Sequence, residues 1–114
     1  MKKYCLALDL VDNSALIAEY EHWHKAGNGW PGIKESILSA GITNMEIYRT
    51  GTRLFMIMET EDTFSFDRKA AMDAANPAVQ EWERFVWKFQ QSLPWAKEGE
   101  KWVLMDKIFS IVEV

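Results

Sequence analysis

Residues 42–60 read ITNMEIYRTGTRLFMIMET, two runs rich in β-branched, aromatic and other apolar side chains on either side of Gly51-Thr52. A two-residue connection containing glycine between such runs is the signature of a tight β-hairpin, so the two runs are expected to be antiparallel neighbours. Everything else in the chain is placed relative to this pair. Upstream, KYCLALDL over residues 3–10 is short and apolar and reads as a strand. The DNS cluster after it offers helix caps for ALIAEYEHWHK, giving a helix to about Lys25. AGNG breaks that helix, Trp30-Pro31 suits the first turn of a second, and Gly41 ends it after Ile33, Ile37 and Ala40. Downstream, residues 66–75 look helical and Asn76-Pro77 interrupts them. A longer helix is then expected to about Leu93, with Val79, Trp82, Val86, Phe89 and Leu93 on one face. PWAKEGEK is a loop, and WVLMDKIFSIVEV returns as a last strand.

The order is β-α(α)-β-β-α-β. Right-handed crossovers would set both helix groups on one face of a four-stranded antiparallel sheet, a ferredoxin-like α+β domain spanning residues 1–114. The last strand carries apolar residues on both faces: Trp102, Leu104 and Ile108 on one, Val103, Met105, Phe109 and Ile111 on the other. The second sheet face therefore also needs cover, and a twofold homodimer packed sheet against sheet would supply it, making a dimeric α+β barrel.

Composition narrows the function. With 114 residues the chain holds one core. Its 13 basic and 17 acidic residues give a net charge of -4 without a basic stripe, which argues against a nucleic-acid partner. Cys5 is the single cysteine, so no intramolecular disulfide can form. The apolar run near the amino terminus is broken by Asp9, and no stretch approaches the ~18 apolar residues of a membrane helix. The expected setting is the cytoplasm, away from membranes.

The scarce chemistry is crowded between Tyr20 and Trp30, which hold both histidines and two of six tryptophans. His22 and His24 project to roughly opposite sides of a helix, so they cannot converge on one metal ion; a site completed by distant carboxylates stays open. Tyr20 and His24, four residues apart, share a face. A helix carboxyl end favours the cationic form of His24, and a surface histidine is the plainer reading of its position. Its company points elsewhere: Tyr20, Trp23 and Trp30 supply flat apolar surface beside a proton-transfer group, which suits the C–H faces and hydroxyls of a sugar. GNGWPG matches no phosphate-binding fingerprint, and neither Cys5 nor any serine has the setting of a nucleophile. Asp9, Glu46, Glu59 and Asp106 could assist a histidine. Mild acid–base chemistry or plain binding is what composition leaves.

The succession Tyr20-x-x-x-His24, Trp30-Pro31, Asn44-x-x-Ile47-Tyr48, Leu54-Phe55-x-x-x-Glu59, Gln80-x-Trp82 and a terminal Ile108-Phe109 strand resembles the L-rhamnose mutarotase family across nearly the whole chain. The resemblance implies a small dimeric α+β isomerase that interconverts the α and β anomers of a 6-deoxy sugar without a cofactor or metal. It assigns His24 as acid–base catalyst, Tyr20 as hydroxyl partner, Trp82 as stacking ring and Trp30 as part of the entrance, with Tyr48 among the substrate-binding residues. Three departures touch the sugar-contacting set: a loop two residues longer between His24 and Trp30, Met45 in place of a frequent tyrosine, and Glu83 in place of a frequent second tryptophan. Met45 and Glu83 are therefore expected to bias the site away from L-rhamnose, with L-fucose the next choice. A monooxygenase of the same architecture and a non-catalytic ligand-binding module are the alternatives.

Overall fold

The computed structural model describes residues 1–112. The expected hairpin is its centre: β2 (Ile42–Thr50) pairs antiparallel with β3 (Arg53–Thr60), and Thr50 faces Arg53 across the turn. Gly51 adopts φ 58° there. A positive φ at the first central residue is what a two-residue turn matching strand twist requires. On its other side β3 pairs with β1 (Lys2–Leu10), from Lys2 opposite Thr60 to Asp9 opposite Arg53. The sheet order is β2-β3-β1-β4, antiparallel throughout, as the ferredoxin-like reading anticipates.

Strand alternation separates two faces. Leu54, Met56, Met58 and Thr60 are buried while the residues between them are half-buried. Leu6, Leu8 and Leu10 of β1 extend this buried face. Against it lie α1 (Ser14–His24), α2 (Ile33–Ser39) and α4 (Pro77–Trp87), while α3 (Phe66–Ala74) packs on α4. Leu10, Leu54, Tyr20, Val86 and Phe89 form one core cluster; Leu6, Ile42, Met56, Met58 and Phe64 form the other. Burying each such aliphatic side chain stabilises the fold by about 1.5–3 kcal/mol before the opposing loss of chain entropy. The helix starts follow local chemistry. Asn13 accepts hydrogen bonds from the Ala15 and Leu16 amides, and Asn76 does the same for Ala78 and Val79, with Pro77 in the first turn.

Three expectations need correction. The second helix begins at Ile33, and Trp30-Pro31 lies in the connection before it. The long helix stops at Trp87 rather than reaching Leu93. Its chain turns at once into β4 (Gln90–Gln91), alongside Asp9 and Leu10. The terminal strand is consequently short: β4 already occupies the upper half of the free edge of β1, leaving β5 (Val103–Leu104) only Leu6 and Ala7 to pair with. The fourth position of the sheet is shared between two short strands. Met105 donates one more bond to the Cys5 carbonyl, and no strand is formed from there through residue 112. The remainder of the expected strand, Glu113 and Val114, lies outside the described residues.

Candidate functional site

The carboxyl half of α1 runs over the exposed edge of the sheet, and a cavity of about 460 Å³ lies between them. Tyr20, Glu21 and His24 of α1 form one wall, Ile47 and Arg49 of β2 the other, and Leu54 of β3 contributes to the floor. The volume falls in the range of small-molecule sites. The four-residue spacing does what helical geometry demands: the rings of Tyr20 and His24 stack at a centroid distance of 4.2 Å.

His24 is held from two directions. Its Nδ1 lies 2.7 Å from the Tyr20 carbonyl oxygen. A carbonyl can only accept, so Nδ1 carries the proton and donates it; the neutral ring then keeps its lone pair on Nε2. Trp82 of α4 approaches the imidazole at 5.7 Å, and Trp30 packs on Trp82 at 5.2 Å. Phe85 backs this group, 4.7 Å from Trp30 and 5.5 Å from Trp23. His24 is still exposed at the surface, but these rings shield part of the imidazole, and this partial burial pushes its pKa below the ordinary 6.5; the hydrogen bond to the Tyr20 carbonyl offsets this in part. The balance runs against the cationic form that a helix carboxyl end would favour, and toward the neutral ring with its lone pair on Nε2.

Tyr20 is 3% exposed. Burial raises its pKa above 10, and a hydrogen bond with Gln90 opposes that rise. At the cavity rim Arg49 Nε donates to Glu21 Oε1 at 2.6 Å, and the same guanidinium reaches the Gly51 carbonyl at 2.7 Å. So exposed an ion pair adds about 0–1 kcal/mol at most. Its consequence is positional, since it ties the end of α1 to the hairpin and sets charged hydrogen-bonding groups at the entrance.

The residues singled out from sequence divide three ways. Tyr20 and His24 line the cavity; Trp82 meets His24 and Trp30 meets Trp82, but neither tryptophan lines the cavity. Tyr48 borders the same cavity, but strand alternation turns its side chain to the open face, where its hydroxyl donates to Glu46. Met45 pairs with Met58 and packs on the core two residues from the cavity-lining Ile47. Glu83 is half-buried on α4 beside Trp82, and neither it nor Met45 lines the cavity. His22 is exposed and meets Trp23 edge-on at 5.4 Å. Among the described residues, no group of three His, Cys, Asp or Glu side chains converges as metal ligands would, and no helix is long and apolar enough to cross a membrane. Glu21, Arg49 and Ile47 line the cavity but were not legible as site residues, because each reaches its place through tertiary packing. Asn44-x-x-Ile47 was the only sequence signal touching this group.

Comparison with known proteins identifies the family. Residues 3–111 match the sequence profile described as L-rhamnose mutarotase. A protein named L-fucose mutarotase from Xanthomonas campestris pv. campestris is 43% identical over 113 residues, covering 99% of this chain and 90% of its own length. Among solved structures, an L-rhamnose mutarotase from Formosa agariphila superimposes with a TM-score of 0.69 at 16% identity, covering 97% of this chain and 99% of that one. Tetracenomycin F2 cyclase from Streptomyces glaucescens, a type-II polyketide cyclase, gives 0.59 at 15% identity with both chains fully covered. At such identities the structural matches establish the α+β fold alone. The profile match and the 43% identical relative go further: the chain belongs to the L-rhamnose mutarotase family and is an isomerase of the sugar mutarotase kind.

Proposed function

We propose that this protein is a cytoplasmic homodimer of one mutarotase domain that interconverts the α and β anomers of a 6-deoxy-L-sugar, with His24 as its acid–base catalyst. The observation that carries this reading is the fixed tautomer of His24, whose Nδ1 is held by the Tyr20 carbonyl at the wall of a sugar-sized cavity. With the C1 hydroxyl hydrogen-bonded to Nε2, the imidazole takes the hydroxyl proton as the C1–O5 bond breaks. A phenol or a bound water delivers a proton to O5, leaving the open-chain aldehyde. Rotation about C1–C2 presents the other carbonyl face, and the two proton transfers run in reverse as O5 attacks C1. The protons balance over the cycle. General acid–base assistance of this kind accelerates by about 100- to 10,000-fold. Tyr20, Trp30 and Trp82 are the candidates for hydroxyl and ring contacts, with Tyr48 at the cavity border; Met45 and Glu83, which do not line the cavity, would act on the sugar only through the residues they pack against.

Within this class, L-fucose is proposed to be at least as good a substrate as L-rhamnose. The 43% identical relative bears the name L-fucose mutarotase, and Met45 and Glu83 depart from the aromatic residues frequent in the rhamnose enzymes. Anomer exchange of both sugars, measured under identical conditions in the wild type and Glu83→Trp, tests this. L-Fucose should exchange at least as fast as L-rhamnose. A strong L-rhamnose preference that Glu83→Trp leaves unchanged would refute it.

The dimer has its own support. Ile108, Phe109, Ile111 and Val112 are 95, 77, 87 and 83% exposed, an apolar run that a second copy would cover. The open sheet face adds a second cavity of about 400 Å³, lined by Phe55, Val103, Met105 and Trp95 among others.

A further inference from the structure

Arg49 interrupts an apolar stripe. Met45 and Ile47 alternate along the covered face of β2 and pack on the core, and Arg49 is next in the same period of two. Across the hairpin it stands opposite Leu54, and both line the cavity. Its guanidinium is fixed at two points, Nε donating to Glu21 Oε1 at 2.6 Å and Nη1 to the Gly51 carbonyl at 2.7 Å. Arg53, the other arginine of the hairpin, is bonded differently. Its Nε and Nη2 take both oxygens of Asp9, at 2.8 and 3.1 Å, in the two-point fork of a closed guanidinium–carboxylate pair. Arg49 and Glu21 leave that fork half made: among the described residues, Arg49 Nη2 and Glu21 Oε2 have no hydrogen-bond partner. Both side chains are exposed and both line the cavity. A donor and an acceptor, held together by the pair itself, are thus left open at the wall of a sugar-sized space.

We propose that Glu21 and Arg49 form a subsite for a vicinal diol of the sugar, Arg49 Nη2 donating to one hydroxyl oxygen and Glu21 Oε2 accepting the proton of the neighbouring hydroxyl. This rests on the mutarotase reading above. A diol matches the pair because each hydroxyl both donates and accepts, and bonds to charged partners are the stronger kind. The two points that already hold the guanidinium mean that little side-chain freedom is lost when the sugar arrives. A tie between α1 and the hairpin would be firmer with the fork closed, as at Arg53; the open fork is what a ligand can complete. The place of the diol on the sugar follows from the helix. Glu21 is three residues before His24, and side chains at that spacing stand about 5–6 Å apart at Cβ, the breadth of a pyranose ring. With C1 at His24 Nε2, the pair meets the far side of the ring, at the C3 and C4 hydroxyls. L-Fucose and L-rhamnose differ in configuration at C2 and C4, so the subsite bears on the choice between them.

The test is a cycle of protein and sugar variants. Arg49→Met keeps much of the side-chain length and removes its N–H groups. With L-fucose it should raise KM about 10-fold, with a smaller effect on kcat, as loss of ground-state binding does. With the L-fucose analogue lacking the hydroxyls at C3 and C4, the same substitution should change KM by less than about 2-fold. Equal rises for the two sugars would mean a structural role only and would sink the idea. Arg49→Lys retains a charge for Glu21 without the planar fork; it should show the same dependence on the diol and serves if Arg49→Met does not fold. In either variant the ratio of kcat/KM for L-fucose to that for L-rhamnose should shift by about 3-fold or more, and an unshifted ratio overturns the placement at C4. The cycle is also read without turnover, as Kd values for L-fucose and its analogue from chemical-shift titration. Wild type that exchanges no sugar refutes the mutarotase reading, and the Kd cycle then decides the subsite: wild type that binds both sugars alike, or neither, overturns it.

Discussion

Replacing His24 by asparagine separates its packing from its chemistry. The asparagine amide can donate to the Tyr20 carbonyl as Nδ1 does at 2.7 Å, but it offers no basic nitrogen in place of Nε2. The structural loss is two ring contacts, to Tyr20 at 4.2 Å and to Trp82 at 5.7 Å. At about 0.5–1.5 kcal/mol for each aromatic pair, the cost is at most about 3 kcal/mol, which a fold of ordinary stability, about 5–15 kcal/mol, survives. The kinetic loss is larger in effect: removing the acid–base group slows exchange by about 100- to 10,000-fold, or about 2.7–5.4 kcal/mol in the barrier. Saturation transfer between the anomeric protons reads the rate, and a circular-dichroism melt reads the fold. The pH profile supplies the sign. His24 must be neutral to act, and burial lowers its pKa, so exchange should hold steady as pH falls to about 6.5 and decline only below it. A His24→Asn protein that melts normally and exchanges within about 3-fold of wild type would refute the assignment, and so would a wild-type profile already halved above pH 6.5.

Trp82→Ala should rehydrate the imidazole, moving the acid limb of the rate profile and the His24 ring-proton titration upward toward the ordinary histidine range; titration left in place would detach Trp82 from the site. Gly51→Val forces a β-branched residue to φ 58° in the hairpin, and should destabilise by about 1–3 kcal/mol in a denaturant titration with the site chemistry retained. Light scattering should report about twice 13.3 kDa, falling to the monomer mass when the chain is ended after Met105; a micromolar monomer in the intact protein contradicts the covered-face argument.

The parts of the fold that read correctly are those whose signal is local. The hairpin declares itself because alternation and Gly51 together leave one geometry, and Tyr20 with His24 because four residues on a helix always share a face. The long helix misled because burial has a period that the backbone need not keep. Phe89 and Leu93 are 1 and 3% exposed, as a continued helical face would make them, yet both lie beyond the end of α4. The last strand misled for a related reason, since its apolar alternation is real while its place beside β1 is half taken by Gln90 and Gln91. Within the site, Arg49 meets Glu21 across 28 residues, and β4 lies beside β1 only because α4 ends early enough to turn the chain back. No spacing rule encodes such meetings.

The most direct test of the account is saturation transfer at C1 of L-fucose and L-rhamnose with the wild-type protein at neutral pH. Transfer between α and β anomers should rise in proportion to protein concentration, at least as steeply for L-fucose, and return to the buffer rate with His24→Asn. Exchange no faster than buffer for either sugar, with the protein folded, would contradict it.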